Sequence, residues 1–207
     1  MKLDKAGGIA LILGSVFFAL YSSLFFVLLP IGTGNYDLAA VVLDPDWLRL
    51  TVTAFAGILL MLFGFYAAYD RIRDASGSLG ALGFLLIELA YLLQACKVTW
   101  EIFLYPVIAG NSASAFLLRD GVLKHAPAVA LFRSASSLII FAGILLFCAA
   151  LYRSRRFPRI APALVFGGAL LYAVGPFISI FVGVPGIFLF AVGCSLLGIR
   201  LLRSRPA

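Results

Sequence analysis

Leu48–Tyr69, LRLTVTAFAGILLMLFGFYAAY, is followed by the charged link Asp70-Arg-Ile-Arg-Asp74 and then by a second apolar run that begins near Leu79. A helix needs about 20 apolar residues to cross about 30 Å of hydrocarbon. The run is continuously apolar rather than alternating, so it reads as a helix and not as a barrel strand. Outward from this stretch the pattern recurs along the chain. It predicts an all-α integral membrane protein, a bundle of about six transmembrane helices at 7–29, 48–69, 79–105, 134–152, 160–181 and 184–202. Pro30 closes the first. Its basic start, Lys2 and Lys5, imitates a signal peptide. The apolar run is too long for one and no small-x-small cleavage site follows, so a retained helix is expected.

Composition leads to the same class. Of 207 residues, 63% are hydrophobic and 12% charged, against roughly 45–50% and about 25% in a soluble domain. A soluble core of this length could not hide so much apolar surface, and no polar stretch is long enough to build a separate domain. The sequence therefore reads as one transmembrane domain over 1–207. Cys96, Cys148 and Cys194 lie far apart inside apolar runs, as small buried hydrophobes rather than a disulfide or zinc framework. His125 is the single histidine, which argues against a metal or haem site. No cofactor is expected.

The net charge of +7 flanks apolar segments, which points to membrane orientation and anionic lipid headgroups rather than nucleic acid. Lys2, Lys5, Arg71, Arg73, Arg153, Arg155, Arg156, Arg159, Arg200, Arg203 and Arg205 fall on one side if the number of spans is even; Arg49, Arg119, Lys124 and Arg133 fall on the other. The positive-inside rule then places both termini and the links after spans two and four in the cytoplasm, and the chain in the plasma membrane. Outer loop one, Ile31 to Trp47, carries Asp37, Asp44 and Asp46. Outer loop three, Pro106 to Arg133, mixes apolar clusters with charges, as an interfacial segment would, with a break at Gly121. The connection near Gly183 to Pro185 is expected to be a tight turn.

Phe55-Ala-Gly-Ile-Leu-Leu60 recurs as Phe141-Ala-Gly-Ile-Leu-Leu146, with Tyr66 and Tyr152 at the same offset. One reading is a parallel repeat of a helical hairpin, as in some transporters; the other is chance in a chain built from few residue types. Span one sets Ala6, Ala10 and Gly14 on one line and Ser15, Ala19 and Ser23 on another. Such spacing lets helix backbones approach, either inside the bundle or against another membrane subunit.

Polar residues within the spans are the candidates for function. Glu88 lies about nine residues into span three, roughly 14 Å deep at 1.5 Å per residue. Tyr172 and Ser195 are its candidate hydrogen-bond partners. It reads as a proton-coupling or ligand-binding carboxyl, or as a structural bridge between helices. Gln94, Lys97 and Glu101 share one helix face, with Trp100 beside them at the interface. They read as a wall of an outward-facing site, completed by Arg133, Arg119 or His125, that could hold a carboxylate or phosphate headgroup. The alternative is a helix end whose long side chains snorkel to water. No nucleotide-binding or metalloprotease pattern is present. Gly110-Asn-Ser-Ala-Ser114 lacks the second glycine of a nucleophile elbow, so no catalytic residue is assigned.

Arg156-Phe-Pro-Arg-Ile-Ala-Pro-Ala-Leu164, with Gly167-Gly168 beyond it, resembles the link between the fourth and fifth spans of many small bacterial membrane proteins. In outline (six spans, a short chain, long first and third outer loops) the sequence is similar to the substrate-binding subunits of energy-coupling-factor vitamin transporters. That is a likeness of shape without a vitamin-specific motif, and no family is assigned. Three functions remain open. The first is binding or transport of a small apolar or amphipathic ligand from the outer side, along Glu88, Gln94, Lys97, Trp100, Glu101 and Arg133. The second is a structural or accessory subunit of a larger membrane complex. The third is an intramembrane enzyme acting on lipid through Glu88 or Glu101.

Overall fold

A computed structural model describes residues 3–28, 36–119, 121–178 and 180–203. Lys2, Pro30, the start of the first outer loop, Asp120 and Arg205 lie outside them. The described residues are mostly helical, with short turns between the helices and no strand. The long helices are α1 (Leu3–Leu28), α3 (Pro45–Thr99), α7 (Pro127–Ser154), α8 (Ile160–Ile178) and α9 (Ile180–Leu202). Short helices connect them at one end: α2 (Leu38–Val42), α4 (Tyr105–Gly110), α5 (Phe116–Arg119) and α6 (Val122–His125). Four stretches are long and apolar enough to cross a membrane, Leu3–Phe25, Pro45–Gly110, Pro127–Ser154 and Gly183–Leu202; Ile160–Gly175 is apolar but shorter. This suits a chain embedded in a membrane.

Helix α3 reverses direction at Gly77, where φ is 55° and ψ −153°. Only glycine visits that region readily. A Cβ there would meet nothing within 4 Å, so the backbone conformation and not crowding selects the residue. The two arms fold back on each other. Tyr69 stacks flat on Phe84 with centroids 4.4 Å apart, Phe65 meets Tyr91 at 5.7 Å, and Trp47 Nε1–H donates to the Glu101 carbonyl at 2.9 Å.

The two arms, α1, α7, α8 and α9 form six rods among the described residues, and glycines set most of their contacts. The first arm of α3 packs on α1, where an added Cβ on Gly64 would press on the Leu11 backbone. The second arm packs on α7, where one on Gly83 would lie 2.5 Å from the Phe147 nitrogen. Helix α9 joins α1 through Gly8 and Gly198, and joins α8 through Gly168, Gly186 and Gly193. The order around the bundle is therefore α8, α9, α1, first arm, second arm, α7. Helices α7 and α8 meet only lightly, through contacts such as Phe141 against Phe166.

Several boundaries differ from the sequence reading. Helix α7 starts at Pro127 rather than at Ser134, because proline suits the first helical turn, where no N–H is needed. Gly183 and Pro185, expected in a turn, lie inside α9. The link between α3 and α7, expected to be the third outer loop, is cut into three short helices, and Gly121 (φ 68°) separates α5 from α6. The described part of the α1–α3 link is also ordered by caps: Asp37 accepts from Ala39 N–H and Asp44 from Asp46 N–H.

One large apolar cluster runs along the bundle, and a second holds the end away from the Gly77 reversal. Near the Gly77 reversal, Leu11, Met61, Phe65, Ile72, Phe147 and Leu151 are fully enclosed. At the other end, Trp47 and Leu50 bury with Val41, Val42, Ala115 and Leu118. Arg119 pairs with Asp37 at 3.0 Å and ties the α1–α3 link to the α3–α7 link. At the basic end, Arg71 pairs with Asp4 at 3.3 Å, and Arg156 donates to the Arg71 carbonyl. That joins α1, α3 and the α7–α8 link. The small residues of α1 are used inside this bundle: Gly14 against Met61, Ala19 against Ile187, and Ser15 within 3.3 Å of Ser195.

Candidate functional site

A cavity of about 360 Å³ is lined in part by Ile58, Tyr91, Val98, Ile144 and Phe190 of the larger cluster, and all six rods contribute to it. Its walls are mainly apolar, from Phe18, Ile58, Ile140, Phe141, Ile187 and Phe190. The polar part of the lining comes from the second arm of α3 (Tyr91, Gln94, Lys97), from α7 (Arg133, Ser136, Ser137), and from Tyr21 and Tyr172. A mainly apolar chamber of this size with a few converging polar groups is the usual form of a small-molecule site.

Three of the residues singled out in the sequence, Gln94, Lys97 and Arg133, meet in this lining. Glu101 stands behind them. It is 7% exposed, and its Oε1 holds Lys97 Nζ at 3.2 Å. The chain around it is a π-turn, Trp100–Leu104. Such turns shift the helical register by one residue and are frequent at functional sites. Here the Glu101 carbonyl takes the Trp47 indole N–H, so one residue carries the Lys97 contact on its side chain and the hairpin contact on its backbone. Glu101 Oε2 is buried without a hydrogen-bond partner. Trp100 does not line the cavity; it packs on Phe132, which does, at 5.3 Å.

Glu88 lies outside the cavity, one helical turn from Tyr91. Its Oε1 is buried and lacks a partner. Ser195, a candidate partner, is within reach of Ser15 instead, and the Tyr172 ring meets Phe18 edge-on at 5.9 Å. Of the groups expected to complete the site, Arg119 is occupied by Asp37, and His125 is exposed beside Gly121. Only Arg133 reaches the cavity, and it does so from a helix, because α7 starts early. Ser114 donates to the Ile108 carbonyl and Asn111 accepts from Ala113 N–H. Gly110–Ser114 is thus a hydrogen-bonded turn.

No family model, curated protein or solved structure matches this chain. The site is therefore described by its own chemistry. Lys97 and Glu101 offset each other. Among the described residues no carboxylate lies within 4 Å of Arg133, so the lining carries an excess of positive charge at one edge of an apolar volume. Among those residues, too, no three His, Cys, Asp or Glu side chains converge as metal ligands would. Arg133, Ser137, Tyr172 and Ala173 are exposed as well as lining, so the cavity opens between α7 and α8. Ser137 is roughly 15 Å along α7 from Pro127 at 1.5 Å per residue, well within the apolar length of that helix.

The sequence reading missed Tyr21, Tyr91, Ser136 and Ser137, and named Tyr172 only as a partner for Glu88. Tyr91 had a usable signal, since it precedes Gln94 by three residues and so lies on the neighbouring strip of the same helix. The others look like ordinary hydroxyl residues within apolar runs.

Proposed function

We propose that this chain is a six-span protein of the plasma membrane, with both termini cytoplasmic, that binds a small amphipathic ligand in the central cavity and serves its transport from the outer side. The observation that carries this reading is the convergence of Gln94, Lys97 and Arg133 on one mainly apolar chamber. Six spans follow if each arm of α3 crosses the bilayer and α8 crosses beside α9. The charges support that count: Lys5, Arg71, Arg73, Arg153, Arg155, Arg156, Arg159, Arg200 and Arg203 then collect at one end of the bundle, which the positive-inside rule assigns to the cytoplasm. The cavity falls in the opposite half, beneath the joined outer loops. In a transport cycle, proton coupling would fall to Glu88, a carboxyl within the apolar length of α3.

Native mass spectrometry of the protein released from lipid nanodiscs tests this reading. The wild type is expected to retain a small molecule or lipid of defined mass, and Lys97→Ala to lose most of it. Equal retention by both would contradict the assignment. A stoichiometric protein partner would favour the accessory-subunit reading, which draws on the exposed Leu82, Leu85, Leu89 and Leu92 of α3. The lipid-modifying enzyme ranks last, because Lys97 already engages Glu101 and the sequence carries no nucleophile motif.

A further inference from the structure

Building on the ligand-binding reading, we propose that the ligand is an anionic amphiphile, an apolar chain ending in a carboxylate or phosphate, that enters sideways through the seam between α7 and α8 and rests its headgroup on Arg133. The first argument is charge. Two cationic side chains line the cavity, and one of them, Lys97, is held at 3.2 Å by the buried Glu101. Arg133 has no such carboxylate among the described residues. A guanidinium at the rim of an apolar chamber suits an anionic oxygen pair, which it can hold through two parallel N–H donors. A cationic head would meet Lys97 and Arg133 together and be repelled.

The second argument is shape. A small inorganic anion would satisfy Arg133 but leave the space between Phe18, Ile140 and Phe190 unfilled by anything apolar. A chain attached to the anion fills it, and burial of that chain contributes the larger part of the binding. The third argument is the route. Among the described residues α7 and α8 touch more lightly than the other pairs of neighbouring long helices, and Ser137 and Ala173 are exposed on either side of this seam. Arg133 lies one turn nearer the helix start than Ser137. A head on Arg133 therefore stays close to the headgroup level while the tail enters at the depth of the acyl chains. An amphiphile already in the outer leaflet would need no passage through water.

Equilibrium binding of radiolabelled probes to the full chain in zwitterionic nanodiscs tests this. The probes are dodecanoate, dodecyl phosphate, dodecanol and dodecylamine, with inorganic phosphate as competitor. At least one anionic amphiphile is expected to bind, the alcohol and amine weakly, and inorganic phosphate is expected not to compete. Arg133→Gln should weaken the anion roughly tenfold to a hundredfold, the worth of a charge-assisted hydrogen bond, and Arg133→Lys should recover part of it. Ala173→Trp, which crowds the seam, should slow association. Dodecylamine or dodecanol binding as tightly as the anions, or no effect of Arg133→Gln in a protein that Arg133→Lys shows to be folded, would overturn the anionic assignment. Competition by inorganic phosphate would make the site one for a water-borne anion. Unchanged association in Ala173→Trp would overturn the lateral route. Ile140→Trp, which fills the chamber, separates the two levels. If it abolishes dodecanol binding while charge makes no difference, the cavity remains the ligand site and only the anionic assignment fails. If every probe still binds to it, the cavity reading itself fails.

Discussion

At the residue scale, Glu101 does two things. Its side chain holds Lys97 at the cavity wall, and its carbonyl receives the Trp47 indole N–H across the α3 hairpin. Trp47→Phe keeps most of the ring packing but strands that buried carbonyl. A loss of roughly 1–3 kcal/mol is expected, read as a lower thermal unfolding midpoint in detergent. Lys97→Met leaves a buried carboxylate without its cation, whereas the double variant Lys97→Met/Glu101→Leu removes both charges. The double variant should be more stable than the single one, since removing one partner of a buried pair costs more than replacing both. A double variant less stable than Lys97→Met would mean that Glu101 is held chiefly by groups other than Lys97. Much of this site was legible, because amide and charged side chains stand out in an apolar run. Glu88 stands apart from the cavity for a geometric reason. Residues advance about 100° each around a helix, so Glu88 points about 120° away from Gln94 and misses the cavity although it shares the same rod.

At the scale of the element, the reversal of α3 depends on Gly77. Gly77→Ala forces an L residue into a positive-φ conformation and should destabilise by roughly 1–3 kcal/mol. Gly167→Ala is the control, since Gly167 lies in α8 with open space around it; there the change should be neutral or slightly stabilising. Equal effects at both positions would show that the hairpin does not need that conformation. The cap of α2 makes a different forecast. The surroundings of Asp37 strip some water from it, which alone would raise its pKa. The Ala39 N–H and Arg119 outweigh this and hold the carboxyl below its ordinary range. A carboxyl with a lowered folded pKa stabilises above its unfolded pKa, and that contribution fades as the pH falls through the folded value. The protection of α2 amides against hydrogen exchange, taken relative to their intrinsic rates at each pH, should therefore fall in acid, and in Asp37→Asn that loss of protection should disappear. The apolar runs announced the long helices, and Gly121 announced the break between α5 and α6. The start of α7 at Pro127 and the passage of α9 through Pro185 were not legible, because proline permits a first turn as readily as it ends a helix.

At the scale of the whole molecule, packing is uneven around the ring. Glycine contacts draw α8, α9, α1, both arms of α3 and α7 together in turn. The α7–α8 seam is left loosely joined beside the cavity. The recurring Phe-Ala-Gly-Ile-Leu-Leu stretches illustrate why sequence likeness alone could not foretell this. Gly57 faces Phe17 and Gly14 of α1, whereas Gly143 faces Leu86 and Ile87 of α3. The same local pattern thus serves two different partners, and partner choice depends on long-range packing. The most direct test of the central claim is a density map of the wild-type protein in lipid nanodiscs, viewed at the cavity bounded by Gln94, Lys97 and Arg133. The account predicts elongated non-protein density there, with one end at Arg133 and the rest among Phe18, Ile140 and Phe190. A chamber closed by its own side chains, with α7 packed tightly on α8, would contradict it.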